Sequence, residues 1–440
     1  MPEKPISPKA GGSIKAIIYS RLVRAIATGA GISLVAQGAV FLMHMLLGRE
    51  LGPAGYGIFS LVLGLAMLVA QLSPLGWQII ITRLIPQYST EGAWGLLRGA
   101  VLRSNQITVI NSIIASILIY TVSRWLVLER DVLLGVNLAT MLLPLLAVKI
   151  LLRRQLMGLD TPKLGIFLDD AVAPLLMIAV ALSLGFNDPK NVVIVYMAVV
   201  LLVCLWGAFA VHNRMPERSR GVNKEFQTKA WMVIAFPATL ALASRIALNR
   251  IDILMIGPMI GVYEVGLYST AQRISYVLLF MPMVIGTITS SMIAGAWYKN
   301  DMGEVRKIFI VSTVISTSVA ALIMLVLLPF SDLAVRFSYG DQFMDAVGIL
   351  QILLIGQFFQ AAGGAISPVM MMTGQEKTFS FTITVIMLVN VIGNFIAIPI
   401  YGAIGAAIVT ASCIIILNIW QFYLLNKRLL IFSPGAKPTP

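Results

Sequence analysis

Three arginines, Arg245, Arg250 and Arg273, stand inside long apolar runs of this 440-residue chain. A guanidinium stays charged at any working pH and grips phosphate oxygens through forked, charge-assisted hydrogen bonds. In mid-membrane a charged side chain costs at least ~2.5 kcal/mol even on permissive insertion scales, so it faces a partner or a wet cavity. Arg245, Asn249 and Asp252 fall at i, i+4 and i+7, one stripe of a helix, with Arg250 pointing away from them. Ser269, Gln272, Arg273 and Tyr276 make a second polar face, and Ser33, Gln37 and His44 a third. Together these faces are expected to line a cavity in which the arginines attract a diphosphate.

Other ionisable residues have two readings each. Asp252 either acts on the bound ligand or neutralises an arginine. Asp169 and Asp170 either titrate with a coupling ion or form a solvated helix end. His44 either changes protonation during a cycle or is simply hydrogen-bonded. Arg83 either holds lipid phosphates or follows the bias of basic residues toward one face.

Enzyme chemistry finds little support in the sequence. It offers no metal-ligand cluster, nucleotide-binding loop or nucleophile–base arrangement, so no metal, no cofactor and no catalytic residue are expected. Cys204 and Cys413 lie in apolar runs and read as buried small residues, with no disulfide or redox role. The net charge of +13 is spread as single Lys and Arg residues between apolar runs, a pattern that speaks against nucleic acid as a partner.

The elements that must position the polar stripes follow from composition. With 58% hydrophobic and 12% charged residues, the chain carries more apolar side chain than a soluble domain can hide. A crossing helix needs about 20 mostly apolar residues, because its backbone must satisfy its own hydrogen bonds. Twelve stretches qualify, near residues 25–48, 56–77, 104–126, 132–152, 164–185, 191–211, 231–256, 265–290, 306–329, 346–372, 378–399 and 402–424. The N-terminal tail, the even-numbered connections and the C-terminal tail hold 24 of the 32 lysines and arginines, which places both termini in the cytoplasm. Ser13–Arg24 is read either as an interfacial amphipathic helix or as a plain extension of the first span. Pro74, Pro144, Pro174, Pro237, Pro282 and Pro368 fall within spans and are candidate hinges.

A repeat divides the chain. Leu47-Gly48-Arg49-Glu50-Leu51-Gly52, followed by Gly57, returns as Ile256-Gly257-Pro258-Met259-Ile260-Gly261, followed by Gly266, at one constant offset of 209 residues. Six spans per half is an even number, so the halves enter the membrane from the same side and their pseudo-two-fold axis runs along the membrane normal. The expected organisation is a cytoplasmic or interfacial segment 1–24, a six-helix bundle 25–211, a basic linker 212–230, a second six-helix bundle 231–425 and a cytoplasmic tail 426–440.

Gly48-Arg49-Glu50-Leu51-Gly52-Pro53 with Tyr56-Gly57, then Gly76 and Arg83, resembles the first two helices of the polysaccharide transporters, or oligosaccharide flippases, of the superfamily that also holds multidrug and toxin extruders. Asn249-Arg250-Ile251-Asp252, Gly261, Val265-Gly266-Leu267-Tyr268 and Pro282 resemble the seventh and eighth. The resemblance implies a V-shaped all-α transporter in the cytoplasmic membrane that moves a polyprenyl-pyrophosphate-linked oligosaccharide between leaflets, among membrane lipids and next to polysaccharide polymerase machinery. Three alternatives stand beside it: an exporter of amphipathic cations from the same superfamily, a transporter of a lipid-linked peptidoglycan precursor, and a membrane glycan polymerase or ligase. The enzyme alternative needs a large loop, and the longest candidate, between Pro329 and Ala346, is too short to house a site.

Overall fold

The structure is a computed structural model that describes residues 10–159, 161, 164–165, 167–186 and 188–429; within these, the side chains of most residues before 35 and of scattered residues in 166–170, 236–249 and 281–288 are not described. The described chain is helical: α1 (Ala10–Leu72), α2 (Trp77–Glu91), α3 (Trp94–Trp125), α4 (Arg130–Gly158), a π-turn (Phe167–Val172), α5 (Ala173–Leu184), α6 (Pro189–Arg214), α7 (Thr228–Ile260) and α8 (Val262–Ser275). Then follow α9 (Phe280–Tyr298), α10 (Met302–Leu327), α11 (Ser331–Tyr339), α12 (Ala346–Ala362), α13 (Ile366–Met372) and α14 (Glu376–Leu429). Among the described residues, six helices are long and apolar enough to cross a membrane, and the bent pairs α8–α9 and α12–α13 supply two more crossings.

Two of the six are too long for a single crossing. Val35–Leu72 and Glu376–Lys427 hold 38 and 52 residues, against the ~20 that one span needs. Each is broken at a glycine with positive φ, Gly52 (φ 66°) and Gly402 (φ 63°), where a β-carbon would be strained. Divided there, and with α7 and the Phe167–Leu184 segment added, they give twelve crossing segments in the order the hydropathy predicts. The continuous helix from Ala10 makes the Ser13–Arg24 segment an extension of the first span.

Several spans are less regular than expected. The second breaks at Ser73–Gly76 and continues as α2, with Pro74 in the break. The eighth bends by 51° next to Pro282, and the tenth bends by 43° between α12 and α13, two residues before Pro368. Pro144, in contrast, sits inside an unbroken α4, whereas Pro174 follows directly on the π-turn Phe167–Val172, an irregularity in the fifth span.

The repeat has a physical meaning where the halves meet. Gly52 in the first half and Gly261 in the second both adopt positive φ with extended ψ, 66°/178° and 106°/171°, and end one span while opening the next. One turn later the two opened helices cross. A β-carbon on Gly57 would strike the carbonyl of Val262, and one on Gly266 would strike the carbonyl of Pro53. Pro53 and Val262 are themselves separated by 209 residues, so the contact is reciprocal, as a pseudo-two-fold axis requires. Small residues let the two backbones approach closely here, as at other membrane helix crossings.

The face bearing the basic loops is joined differently. Trp231, at the start of α7, packs edge-on to Trp77 with ring centroids 5.5 Å apart and donates its indole N–H to the Tyr88 hydroxyl at 2.8 Å. The segment before α7 is fastened to α3: Arg98 donates to the Val222 carbonyl at 2.6 Å, the Glu225 N–H donates to the Gly95 carbonyl at 3.0 Å, and Arg103 donates to the Thr228 hydroxyl at 3.0 Å. Between these two junctions lies a cavity.

Candidate functional site

The cavity has a volume of about 320 Å³, at the small end of ligand pockets. It opens between the first two spans, α4, α5 and α6 on one side and α7 and α8 on the other. Five of its lining residues are Lys149, Arg153, Arg154, Arg250 and Arg273; His44, Gln71, Gln272, Ser60, Ser269 and Tyr196 add polar groups, and among the described residues no Asp or Glu lines it. Lys149 is only 5% exposed, a rare degree of burial for this residue type. The Ser269 hydroxyl is buried and has no hydrogen-bond partner among the described residues, which leaves a donor for whatever fills the cavity.

Helix geometry explains who lines the space. On α8, Ser269, Gln272 and Arg273 fall at i, i+3 and i+4, so they share one face. Arg250 and Ile253 share the equivalent face of α7. On α4, Lys149, Arg153 and Arg154 stand at i, i+4 and i+5 because the helix runs on to Gly158, beyond the expected end at residue 152. Sequence reasoning assigned these three to a basic loop and missed them; their helical spacing at the end of an apolar run was the available signal.

His44 and Arg273 are joined at the cavity wall. The Arg273 Nη2 donates to His44 Nε2 at 2.8 Å, and His44 Nδ1 lies 3.0 Å from the Tyr56 hydroxyl. A guanidinium only donates, so Nε2 is the acceptor and the ring proton sits on Nδ1, donated to Tyr56. His44 is therefore a neutral imidazole locked in one tautomer by an arginine.

Several expected cavity residues lie elsewhere. Gln37 is exposed; it stands two helical turns from His44, past the cavity edge at Val40. Asp252 is 1% exposed and turned into the second half, where its carboxylate accepts from the Tyr268 hydroxyl at 2.5 Å and from Asn394 Nδ2 at 2.7 Å. Asn390 extends that network, donating to the Thr410 hydroxyl at 3.0 Å. Tyr276 follows the end of α8 at Ser275, on a tighter helical turn, and is not among the cavity's described lining residues. Arg83 is exposed on α2. Arg245 and Asn249 lie on α7, and Asp169 and Asp170 on the π-turn, but the side chains of all four are outside the described residues.

What the arrangement can do is hold a polyanion. Five cationic side chains converge on a space closed by apolar helices, where the low dielectric strengthens each charge-assisted bond. A cationic ligand would meet repulsion from these five side chains.

Comparison with known proteins agrees with the architecture. Residues 22–293, more than half of the chain, match the family described as polysaccharide biosynthesis protein, and residues 237–396 match the MatE family. A probable low-salt glycan biosynthesis flippase of Haloferax volcanii is 22% identical over 385 residues, covering 85% of this chain and 77% of that protein. An uncharacterised membrane protein of Methanocaldococcus jannaschii is 23% identical over 246 residues; there the match covers 53% of this chain and about half, 46%, of the relative. Among solved structures, an inward-facing multidrug resistance transporter of the MATE family superposes with a TM-score of 0.74 at 14% identity, covering 91% of this chain and 96% of that one. The lipid II flippase MurJ, in an inward closed conformation, follows at 0.69 and 15% identity, covering 91% and 87%. A superfamily transporter from Pyrococcus furiosus, described as having a binding pocket of reverse polarity, gives 0.60 at 16% identity over 92% and 95%. These likenesses show the fold, two lobes of membrane helices; with the family match running over more than half of the chain and across both copies of the glycine repeat, the chain belongs to the polysaccharide biosynthesis protein family.

Proposed function

We propose that the protein is a flippase that carries a polyprenyl-pyrophosphate-linked oligosaccharide across the cytoplasmic membrane by alternating access, with both termini in the cytoplasm. The observation that carries this reading is the cationic wall of the cavity: Lys149, Arg153, Arg154, Arg250 and Arg273 line it, and among the described residues no carboxylate does. A diphosphate is opposite in charge to these side chains, and its oxygens match the guanidinium fork. The apolar exterior leaves the prenyl tail in the lipid while only the headgroup enters the protein.

Two six-helix halves that meet at a glycine crossing on one face and at a tryptophan pair on the other have the form a rocking transporter needs: breaking one junction while the other holds opens the cavity to one side at a time. The uneven distribution of Lys and Arg assigns the tryptophan face to the cytoplasm. Export of amphipathic cations, as in the multidrug branch, is disfavoured by the same cationic wall.

Deleting the gene in its host tests the reading. The expected outcome is loss of a surface glycan with its lipid-linked precursor retained on the cytoplasmic leaflet. An unchanged glycan together with new sensitivity to cationic drugs would move the assignment to the exporter branch.

A further inference from the structure

We propose that His44 and Tyr56 form the switch that passes occupancy of the cationic cavity to the glycine-crossing seal at the opposite face. The proposal rests on the anion-binding reading above and adds a path of communication to it. His44 faces the cavity and takes a hydrogen bond from Arg273 on Nε2, while its Nδ1–H is given to the Tyr56 hydroxyl. Tyr56 belongs to the seal: it lies between Pro53 and Gly57, the two residues whose backbones meet Gly266 and Val262. Its ring is fully buried, 5.6 Å from that of Tyr339 and 6.2 Å from that of Phe343. Tyr339 ends the short helix α11 that caps this face; its hydroxyl is buried, lies within reach of the Tyr56 hydroxyl and makes no full hydrogen bond among the described residues. Arg49, five residues after His44 in the first span, donates to the Ser338 carbonyl of the same cap at 2.9 Å.

Both ends of this chain of contacts have an alternative. A phosphate oxygen is a charged acceptor and competes for the Arg273 guanidinium against a neutral imidazole nitrogen. Once Arg273 turns to the ligand, His44 Nε2 is a buried acceptor without a donor, a state that costs free energy until the ring moves. Ring movement breaks the bond to Tyr56. The acceptor site freed on the Tyr56 hydroxyl can then take the Tyr339 O–H, and that bond draws Tyr56 of the first half onto the cap of the second. Two discrete hydrogen-bond arrangements, one with the cavity empty and one with it filled, are the requirement for a two-state coupling element.

The test uses full-length protein in nanodiscs with Cys204 and Cys413 replaced by alanine and spin labels at Ala54→Cys and Ile260→Cys, on the two sides of the seal. Undecaprenyl diphosphate is the probe; its binding is followed by native mass spectrometry and the label separation by pulsed electron resonance. In otherwise wild-type protein, bound probe is expected to add a second, shorter distance. Tyr56→Phe, a residue outside the cavity wall, is expected to bind the probe within twofold of wild type and to lose the shorter distance; Tyr339→Phe is expected to weaken it. A shorter distance of wild-type size in Tyr56→Phe overturns the switch. Probe binding by wild type with no change in distance also overturns the switch and leaves the anion-binding reading intact, whereas no binding by wild type overturns both.

Discussion

Arg250 and Asp252 are two residues apart on α7 and carry opposite charges, yet they serve separate sites: Arg250 faces the cationic cavity, and Asp252 is buried against Tyr268 and Asn394. Residues at i and i+2 do not share a helix face, so proximity in sequence does not make an ion pair. Truncating the carboxylate strands two buried donors, each costing about 1–3 kcal/mol, while an amide keeps most of the shape and can still accept from one of them. Asp252→Ala is therefore expected to lower the unfolding temperature of the detergent-solubilised protein markedly, and Asp252→Asn much less. Equal, small shifts for both would remove the structural role.

On the cavity side, the prediction concerns binding without stability. A hydrogen bond to a charged group contributes about 1.5–3 kcal/mol, so Arg250→Ala and Arg273→Ala are each expected to weaken binding of a diphosphate lipid roughly 10- to 100-fold without reducing the amount of inserted protein. Wild-type affinity in both variants would exclude a phosphate-binding role. Ligand binding to the purified variants, normalised to folded protein, decides the matter.

The polar residues show how far sequence carried. Twelve spans, two halves and the pairing of Gly52 with Gly261 could be read from hydropathy and one repeated offset, because lipid leaves a helix few ways to satisfy its backbone. Arg250, Arg273, His44 and Gln272 fall on the cavity because they lie on helices with a clear apolar back. Asp252 could not be placed from its stripe alone: which neighbour a helix face meets depends on the partner helix, here the eleventh span with Asn390 and Asn394. Lys149, Arg153 and Arg154 were hidden by a rule that is correct on average, since basic residues at a span end also orient a membrane protein. Gln37 was misplaced because helical periodicity gives a residue's face but not where along the helix a cavity ends.

The reciprocal glycine crossing makes its own prediction. Gly57→Leu and Gly266→Leu each insert a side chain where the partner helix's carbonyl stands, and neither backbone has space to yield locally. Each variant is expected to insert and fold, since the core of each half is untouched, but to be unable to close the opposite face. A cysteine at Ala54, which is exposed beside the crossing, should react with a membrane-impermeant maleimide several-fold faster in either variant, and glycan export should fall by at least tenfold. Because the two contacts are related by the pseudo-two-fold axis, the two variants should have effects of similar size; a large difference would mean that the repeat is not symmetric in its energetics.

The sign of the cavity separates the flippase reading from the exporter reading in a single competition experiment. At about 4 Å two unit charges interact by about 4 kcal/mol when the effective dielectric constant is near 20, and five cations line one small space. Tetraphenylphosphonium, an amphipathic cation, is therefore expected not to displace a bound diphosphate lipid, whereas inorganic pyrophosphate should displace it. Replacing both facing arginines with acids, as in the Arg250→Glu, Arg273→Glu double variant, removes two positive charges and adds two negative ones at the same wall, so the preference should weaken or reverse and tetraphenylphosphonium binding should become measurable. If the wild-type protein already binds tetraphenylphosphonium as well as it binds pyrophosphate, then charge does not select the ligand, and the apolar part of the wall must.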